Sequence, residues 1–137
     1  MRAVLDPNIL ISALLVPHGA PARIVRAWIE GHFELIVSPL LLAELKRALD
    51  YPRLRNRIAP EDAAQLIDWL RRTATQAADP EGPPPFACPD PGDDYLVALA
   101  ATQRALLVSG DKHLLSLKER LPVHPPADFL ELLPPPD

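Results

Sequence analysis

Short apolar runs alternate along this chain with longer segments in which apolar residues recur at helical spacing. The runs predict buried strands at residues 2–5, 33–37 and 105–108, and a further edge strand at residues 123–124. Helices are predicted at residues 8–16, 21–31, 39–49, 60–72, 93–100, 112–119 and 127–133. Strands that alternate with helices, and that are apolar throughout, predict an α/β protein with a parallel sheet covered on both faces.

The chain is expected to form a single domain over residues 1–133, followed by a short proline-rich tail at residues 134–137. Its 137 residues, 48% of them hydrophobic, are enough to bury one core. Residues 79–91 are predicted to form a surface loop, because the stretch is too rich in proline for regular structure. It is also too short to separate two domains.

Several acidic residues are predicted to lie at one edge of this sheet. Asp6 directly follows the first strand, and Asp111 follows the strand at residues 105–108 after only a serine and a glycine. Asp93 and Asp94 open the helix that runs back towards the same edge. Because ligands of open α/β sheets bind outside the carboxyl ends of the strands, these carboxylates are expected to converge there.

A further acid, Glu44, lies inside the helix predicted at residues 39–49. The leucines of this helix form an apolar stripe, and Glu44 lies at the edge of the stripe. Its carboxylate is therefore expected to reach a cleft. The alternative is a solvated side chain that pairs with Lys46 or Arg47.

Carboxylates crowded into one cleft repel one another, so they must be protonated, well solvated or neutralised by cations. Ligands made of carboxylate oxygen, with no cysteine or histidine cluster, favour Mg²⁺ or Mn²⁺ over zinc. One or two such ions would activate water for attack on a phosphodiester. Taken alone, Asp93, Asp94 and Asp111 have ordinary helix capping as the alternative, and Asp6 has an ordinary turn.

The charge balance limits the kind of nucleic-acid contact that is expected. A formal net charge of -4 argues against a protein that coats nucleic acid with its whole surface, but it is compatible with a local basic patch. Arg53, Arg55 and Lys112 are the candidate contacts to RNA phosphates. A solvated basic face is the alternative for each of them.

Cysteine usage and the N-terminal pattern predict a cytoplasmic protein. The single cysteine, Cys88, excludes an internal disulfide and fits a reducing compartment, for which the bacterial cytoplasm is the default. Polar residues and a proline at positions 6–8 interrupt the apolar N-terminus, so neither a signal peptide nor a membrane span is expected.

Four stretches of the sequence, taken in order, resemble the motifs of the PIN-domain ribonucleases. They are LDPNILISALL at the start, IVSPLLLAELKRAL in the middle, then DPGDDYLVALA and LLVSGDKHLL. Together they span nearly the whole chain, from Met1 to about Leu133. The resemblance is greatest to the PIN proteins described as toxin components of toxin–antitoxin systems.

The resemblance implies a three-layer α/β/α fold with a central parallel sheet. It also implies a metal-dependent endoribonuclease that hydrolyses phosphodiester bonds in single-stranded or structured RNA. The catalytic residues that it implies are Asp6, Glu44, Asp94 and Asp111, with Asn8 and Ser109 in support. The ligands that it implies for one or two Mg²⁺ or Mn²⁺ ions are Asp6, Glu44, Asp93, Asp94 and Asp111.

A small antitoxin protein and a second copy of the chain are the partners that the resemblance implies. The chain departs from the family pattern at Pro7, where threonine is usual, and at Ser109, where threonine is more common. The alternative function is therefore a PIN scaffold that binds RNA or protein with little or no cleavage. A receiver-type or haloacid-type phosphoryl-transfer domain fits poorly, since neither an early acidic pair nor a second aspartate at position 8 is present.

Overall fold

A computed structural model describes residues 1–82 and 89–134. The described residues form a five-stranded sheet in the order β3-β2-β1-β4-β5, in which every neighbouring pair of strands is parallel. The strands are β1 (Arg2–Leu5), β2 (Glu34–Val37), β3 (Thr75–Gln76), β4 (Leu106–Val108) and β5 (Val123–His124). The helices are α1 (Pro7–Leu15), α2 (Ala20–Ile29), α3 (Pro39–Leu49), α4 (Pro52–Arg55), α5 (Pro60–Thr73), α6 (Asp94–Gln103), α7 (Lys112–Leu115) and α8 (Pro126–Leu132), and a single 3-10 turn covers Pro91–Asp93.

The central strand β1 lies between β2 and β4 and forms the middle of the core. Its residues Ala3, Val4 and Leu5 have no exposed surface, which explains why this run is apolar throughout. Helices flank the sheet, so the predicted three-layer α/β/α fold is confirmed. Because all the strands are parallel, their carboxyl ends lie at one edge of the sheet.

Local capping fixes where the helices begin at this edge. Ser38 Oγ accepts a hydrogen bond of 3.3 Å from the Leu41 backbone N–H, and Pro39 occupies the first turn of α3, as predicted. Helix α1 begins at Pro7, one residue earlier than the sequence pattern predicts, because Asp6 is its N-cap. A proline is well suited to that first helical position, where no N–H is needed.

The helix predicted at residues 112–119 is shorter than expected. It ends at Leu115, and the following residues form turns. The N–H groups of Leu117 and Lys118 bond to carbonyls three residues back, and the Ser116 hydroxyl donates to the His113 carbonyl. These tighter bonds end the α-helical pattern before Glu119.

Two short elements carry no periodic apolar signal and were not predicted. Strand β3 has two residues, which pair with Ile36 and Val37 of β2 at the edge of the sheet. Helix α4 has four residues and begins at Pro52, within the basic stretch that had no structural assignment. Both elements are too short for periodicity to reveal them.

Helices α1 and α2 pack against each other at a bend of 102°. In the described ranges, no single helix is long and apolar enough to cross a membrane, and α1 and α2 would meet that criterion only as a bent pair. Helix α2 also packs against α8, so the N-terminal and C-terminal parts of the chain meet.

Some predictions concern residues outside those described. The loop predicted at residues 79–91 falls partly on residues 83–88, as does Cys88, and the tail predicted at residues 134–137 falls largely on residues 135–137. At the described ends of this loop, residues 79–81 have no helix or strand, and the 3-10 turn begins at Pro91.

Candidate active site

The carboxyl ends of β1 and β4 are joined by a chain of hydrogen bonds through Ser109. The backbone N–H of Asp6 donates to the Val108 carbonyl at 3.0 Å, which extends the ladder between the strands by one bond. The Ser109 hydroxyl donates to Asp6 Oδ2 at 2.8 Å and accepts from the Asp111 backbone N–H at 3.0 Å. Ser109 is fully buried, so this hydroxyl is protected from water. The two predicted acids, Asp6 and Asp111, are therefore held in one site.

Asp6 and Asp111 are helix caps as well as neighbours. Asp6 Oδ1 accepts from the Asn8 backbone N–H at 3.1 Å, and Asp111 Oδ1 accepts from the His113 backbone N–H at 2.7 Å. Capping, the simpler interpretation of Asp111, is therefore correct, but it uses only one oxygen of that residue. Asp6, for which an ordinary turn was the simpler interpretation, is also a helix cap. Capping and a shared acidic site coexist.

Pro7 does not disturb the orientation of Asp6. It is buried at the first position of α1, while Asp6 is fixed by the Asn8 N–H and the Ser109 hydroxyl. The threonine hydroxyl usual at this position is absent. Both oxygens of Asp6 nevertheless have a donor that orients them.

Burial makes the charge on Asp6 unfavourable. Only 6% of this residue is exposed, and desolvation raises the pKa of its carboxyl above the usual 3.8. The hydrogen bonds from Asn8 and Ser109 oppose the increase, whereas the charge of Asp111 adds to it. A cation beside Asp6 would relieve this unfavourable charge.

Asp93, the residue before α6, is influenced by the charges of Asp6 and Asp111. Desolvation and the charges of Asp111, Asp6 and Asp90 raise the pKa of Asp93 to about 6. Although Asp93 precedes α6, its side chain makes no capping hydrogen bond. Its Oδ2 is buried and has no hydrogen-bond partner among the described residues. Helix capping therefore does not explain Asp93, and a buried acceptor without a donor calls for another explanation.

Asp94 is the first residue of α6 and is partly buried. Asp94 is not without an interaction partner in the structure. The family resemblance implies Asp94 as the catalytic residue and Asp93 only as a further ligand, whereas in the structure the charges of Asp6 and Asp111 act on Asp93.

Glu44 is paired with a cation from its own helix. Arg47 donates from one terminal nitrogen to both oxygens of Glu44, at 2.9 and 2.8 Å. The Glu44 side chain is 45% exposed and that of Arg47 is 68% exposed, so the pair lies largely in water. Glu44 is thus largely solvated, and the predicted alternative of an ion pair with Arg47 is the observed contact.

The Tyr95 phenol is influenced by the charges of several of these acids. Burial raises the pKa of its phenol, and the charges of Asp6, Glu44 and Asp93 raise it further. Asp79 acts on Tyr95 as well. Tyr95 was not predicted as a site residue.

An open cleft of about 360 Å³ lies beside Asp6 and Asp111. Asn8, Ser12 and Gly110 also line it, so the predicted supporting residue Asn8 is at the site. Lys112 is exposed and directly follows Asp111. The first turns of α2 and α8 close the cleft at Pro21 and Pro126.

Arg53 and Arg55 are not among the residues that line this cleft. Both are exposed on α4, and Arg55 pairs with Asp50 at 3.7 Å. Arg55 also lines a separate small cleft between α3 and α5. Lys112 does not line the cleft either, although it directly follows Asp111, which does.

The donor chemistry of the site fits a hard divalent cation. Asp6, Asp93 and Asp111 offer carboxylate oxygens, which Mg²⁺ and Mn²⁺ prefer, and the buried Asp93 Oδ2 has no competing donor among the described residues. Within the described ranges, however, no three acidic, histidine or cysteine side chains approach closely enough to enclose an ion. Water and substrate oxygens commonly complete the coordination of Mg²⁺, so a full protein cage is not needed.

Comparison with known proteins gives three findings. The protein family described as PIN domain matches residues 2–113. The chain is similar to the uncharacterized protein MJ1680 of Methanocaldococcus jannaschii, with 28% identity over an alignment 142 residues long. The alignment covers 96% of this chain and 90% of the relative. It is also similar in fold to a chain in the crystal structure of VapBC2 from Rickettsia felis bound to a DNA fragment from their promoter. That match has a TM-score of 0.62 and 14% identity, and covers 91% of this chain and 98% of the other.

Proposed function

This chain belongs to the PIN-domain family, and from that premise we propose that it is an endoribonuclease that depends on Mg²⁺ or Mn²⁺. The central observation is the Asp93 carboxylate, which has a buried oxygen without a hydrogen-bond partner among the described residues and is affected by the charges of Asp6 and Asp111. Three such carboxylates are unfavourable together unless protons or cations neutralise them. A divalent cation does this at neutral pH.

The proposed ligands fall into an inner group and a rim. Asp6, Asp93 and Asp111 would hold the first ion, because Ser109 joins Asp6 to Asp111 and the charges of both act on Asp93. Glu44 would contribute from the rim after it separates from Arg47. Asp94 stays a prediction from the family motif, as does the presence of a second ion.

A bound ion would lower the pKa of a water molecule and neutralise charge on the scissile phosphate. The side chains of this chain then have positioning tasks. Ser109 keeps Asp6 and Asp111 at a fixed separation through its two hydrogen bonds. Lys112, which is exposed and follows Asp111, would hold a neighbouring RNA phosphate, and Asn8, which lines the cleft, would contact the same strand. No side chain becomes covalently attached to RNA.

The proposal is tested with a fluorescent single-stranded RNA, the purified protein and Mn²⁺. We expect cleavage with Mn²⁺ or Mg²⁺, none after chelation with EDTA, and a loss of at least about a hundredfold in Asp111→Asn. Thermal denaturation should show stabilisation by Mn²⁺ in the wild type and little in this variant. Stabilisation by Mn²⁺ together with RNA binding but no cleavage would favour the non-cutting scaffold instead.

We further propose that the protein is the toxin of a toxin–antitoxin pair and forms a homodimer. The resemblance to PIN toxins supports the partner, as does the fold shared with a chain of the VapBC2 complex. Exposed apolar side chains such as Val16 and Ile29 offer contact surface. Co-expression with the product of the adjacent reading frame should give a complex that no longer cleaves RNA, and light scattering on the free chain should give twice the mass of one copy.

The proposed boundaries and location follow the sequence predictions. Residues 1–133 are proposed to form one domain and residues 134–137 a tail, and the cytoplasm is proposed as the compartment. A variant that ends at residue 133 should unfold in one cooperative transition at the same temperature as the full chain.

A further inference from the structure

A second cleft, of about 290 Å³, lies between α2 and α8 and shares none of its lining residues with the acidic cleft. We call it the α2–α8 cleft. The apolar part of its lining consists of Ala27, Leu130 and Leu133, which are buried or half-buried. Its cationic part consists of Arg23 and Arg26. The α2–α8 cleft therefore combines an apolar surface with two guanidinium groups.

The two arginines of this cleft have no acidic partner of their own. Arg23 and Arg26 lie three residues apart on α2, so they share one face of the helix. Both are exposed, and neither guanidinium makes an ion pair or a hydrogen bond within residues 1–82 and 89–134. Glu30, which also lines the cleft, lies instead 3.5 Å from His32. The donors of both arginines thus meet no competing acid in that part of the chain.

The acidic cleft lacks the positive charge that a polyanion requires. Its carboxylates repel phosphates, and no lysine or arginine is among the described residues that line it. Single-stranded nucleic acid is commonly held by a positively charged groove that follows its backbone. An RNA strand that enters the acidic cleft therefore needs cationic contacts outside it.

Helix α8 connects the two clefts. Pro126, in its first turn, lines the acidic cleft, and Leu130, one turn later on the same face, lines the α2–α8 cleft. Four residues of helix correspond to a rise of about 6 Å. At roughly 3.4 Å or more per nucleotide, this is the length of one or two nucleotides of a strand. Helix α2 repeats the arrangement, with Pro21 at the acidic cleft and Arg23 at the other.

We propose that the α2–α8 cleft binds the sugar–phosphate backbone of the RNA strand, one or two nucleotides from the acidic cleft, through Arg23 and Arg26. The inference rests on the RNA-directed function proposed above, to which it adds the course of the strand. Each guanidinium presents a planar set of donors that matches a phosphate. An acidic segment of a partner protein has similar charge, but the connection to the acidic cleft along α8 favours the substrate.

The test measures the binding of a labelled single-stranded RNA of about twelve nucleotides by fluorescence anisotropy, in EDTA so that no cleavage occurs. We expect Arg23→Gln/Arg26→Gln to bind it about ten- to thirtyfold more weakly at low salt. The slope of log Kd against log salt concentration should fall by about 1.4, or about 0.7 for each lost phosphate contact. In the cleavage assay with Mn²⁺, KM should rise by a similar factor while kcat stays the same.

Two further double variants separate this cleft from a general effect of charge. Arg71→Gln/Arg120→Gln removes the same charge from two exposed arginines that line neither cleft, and should change RNA affinity by less than about twofold. Arg23→Lys/Arg26→Lys keeps the charge and should retain RNA affinity within about threefold. All these side chains are exposed, so thermal denaturation should match the wild type. Equal weakening of RNA binding in the two glutamine variants would overturn the proposal.

The same measurements distinguish failure of this inference from failure of the proposed function. If Arg23→Gln/Arg26→Gln binds RNA like the wild type while Asp111→Asn abolishes cleavage, the role of the α2–α8 cleft is wrong and the nuclease stands. If this glutamine variant alone loses RNA affinity and the wild type does not cleave with Mn²⁺, the cleft binds RNA and the proposed nuclease is wrong. Unchanged RNA affinity with weaker capture of the co-expressed neighbouring product would overturn the proposal and assign the two arginines to a protein partner.

Discussion

The acidic site has two halves that are built in different ways. At the ends of β1 and β4, Asp6 and Asp111 are joined through the buried Ser109 hydroxyl, at 2.8 and 3.0 Å. On the helical side, Glu44 is partly exposed in a surface ion pair, and Asp93 has a buried oxygen with no partner in the part of the chain that the structure describes. The strand half is hydrogen-bonded, whereas the helical half is governed mainly by charge.

This difference shows which half sets the position of a bound ion. A ligand fixed by hydrogen bonds within a packed sheet keeps its place whether or not an ion is bound. A ligand in a solvated ion pair contributes little to stability and can change partner at small energetic expense. The strand half should therefore define the site, and the helical half should close around it.

The largest expected difference between the two halves is in catalysis. Asp6→Asn should lower kcat/KM for single-stranded RNA by at least about a hundredfold, and Glu44→Gln by about tenfold, because Glu44 already shares its charge with Arg47. Initial rates with saturating Mn²⁺ measure both. An equal loss in the two variants would contradict the division into a fixed and an adjustable half.

Stability without metal provides the control for Asp6→Asn. Burial raises the pKa of Asp6, so the fold disfavours its charged form. Asparagine can accept from only one of the two donors, Ser109 or the Asn8 N–H, but it removes the buried charge. Urea unfolding at pH 7 should therefore show a free energy of unfolding within about 1 kcal/mol of the wild type. A strongly destabilised variant would mean that lost activity reports on folding.

Ser109 tests what the strand half gains from its hydrogen bonds. Ser109→Ala leaves Asp6 Oδ2 and the Asp111 N–H without their shared partner, and should lower the free energy of unfolding by about 1–3 kcal/mol. Mn²⁺ affinity should fall by about ten- to a hundredfold, as for other residues that orient metal ligands. Urea titration and calorimetry measure the two effects.

The matched control is Ser109→Thr, which keeps the hydroxyl and restores the residue more common in the family. It should keep Mn²⁺ affinity within about threefold of the wild type. If Ser109→Thr weakens Mn²⁺ binding as much as Ser109→Ala does, the volume of the buried side chain matters more than its hydroxyl.

The strand half was predictable from sequence because it follows from chain direction. An apolar run that ends in an aspartate defines a strand end, and parallel strands place such ends together. Asp6 and Asp111 needed no further information. Ser109 could be assigned only through the family resemblance, since a serine after a strand has many possible roles.

The helical half could not be resolved in the same way, because helix-start side chains depend on tertiary contacts. Asp93 and Asp94 are the same residue type at adjacent positions, and only the folded structure shows that the Asp93 side chain makes no capping hydrogen bond. Glu44 has its ion-pair partner three residues away, yet spacing alone did not decide between the partner and the cleft.

The smallest expected effect is the pH dependence that Asp93 imposes. Its pKa is about 6 in the folded protein, against an ordinary value of 3.8 for an unfolded chain. Between these values the folded state holds a proton that the unfolded chain has lost, so the free energy of unfolding should fall as pH rises from about 4 to 6. This contribution is lost as pH rises through about 6, and Asp93→Asn should not show it.

A bound ion should reverse that trend, because Mn²⁺ competes with the proton on Asp93. We expect Mn²⁺ to add more stability at pH 7 than at pH 5 in the wild type, and nearly the same amount at both in Asp93→Asn. The quantity to compare is the difference between wild type and variant at each pH, since other titrating groups cancel in it. A wild-type protein that gains stability from pH 4 to 6 relative to Asp93→Asn, without metal, would show that Asp93 is stabilised by its charge. The charge of the helical half would then be stabilised by the protein itself, without a cation, as the hydrogen bonds stabilise the strand half.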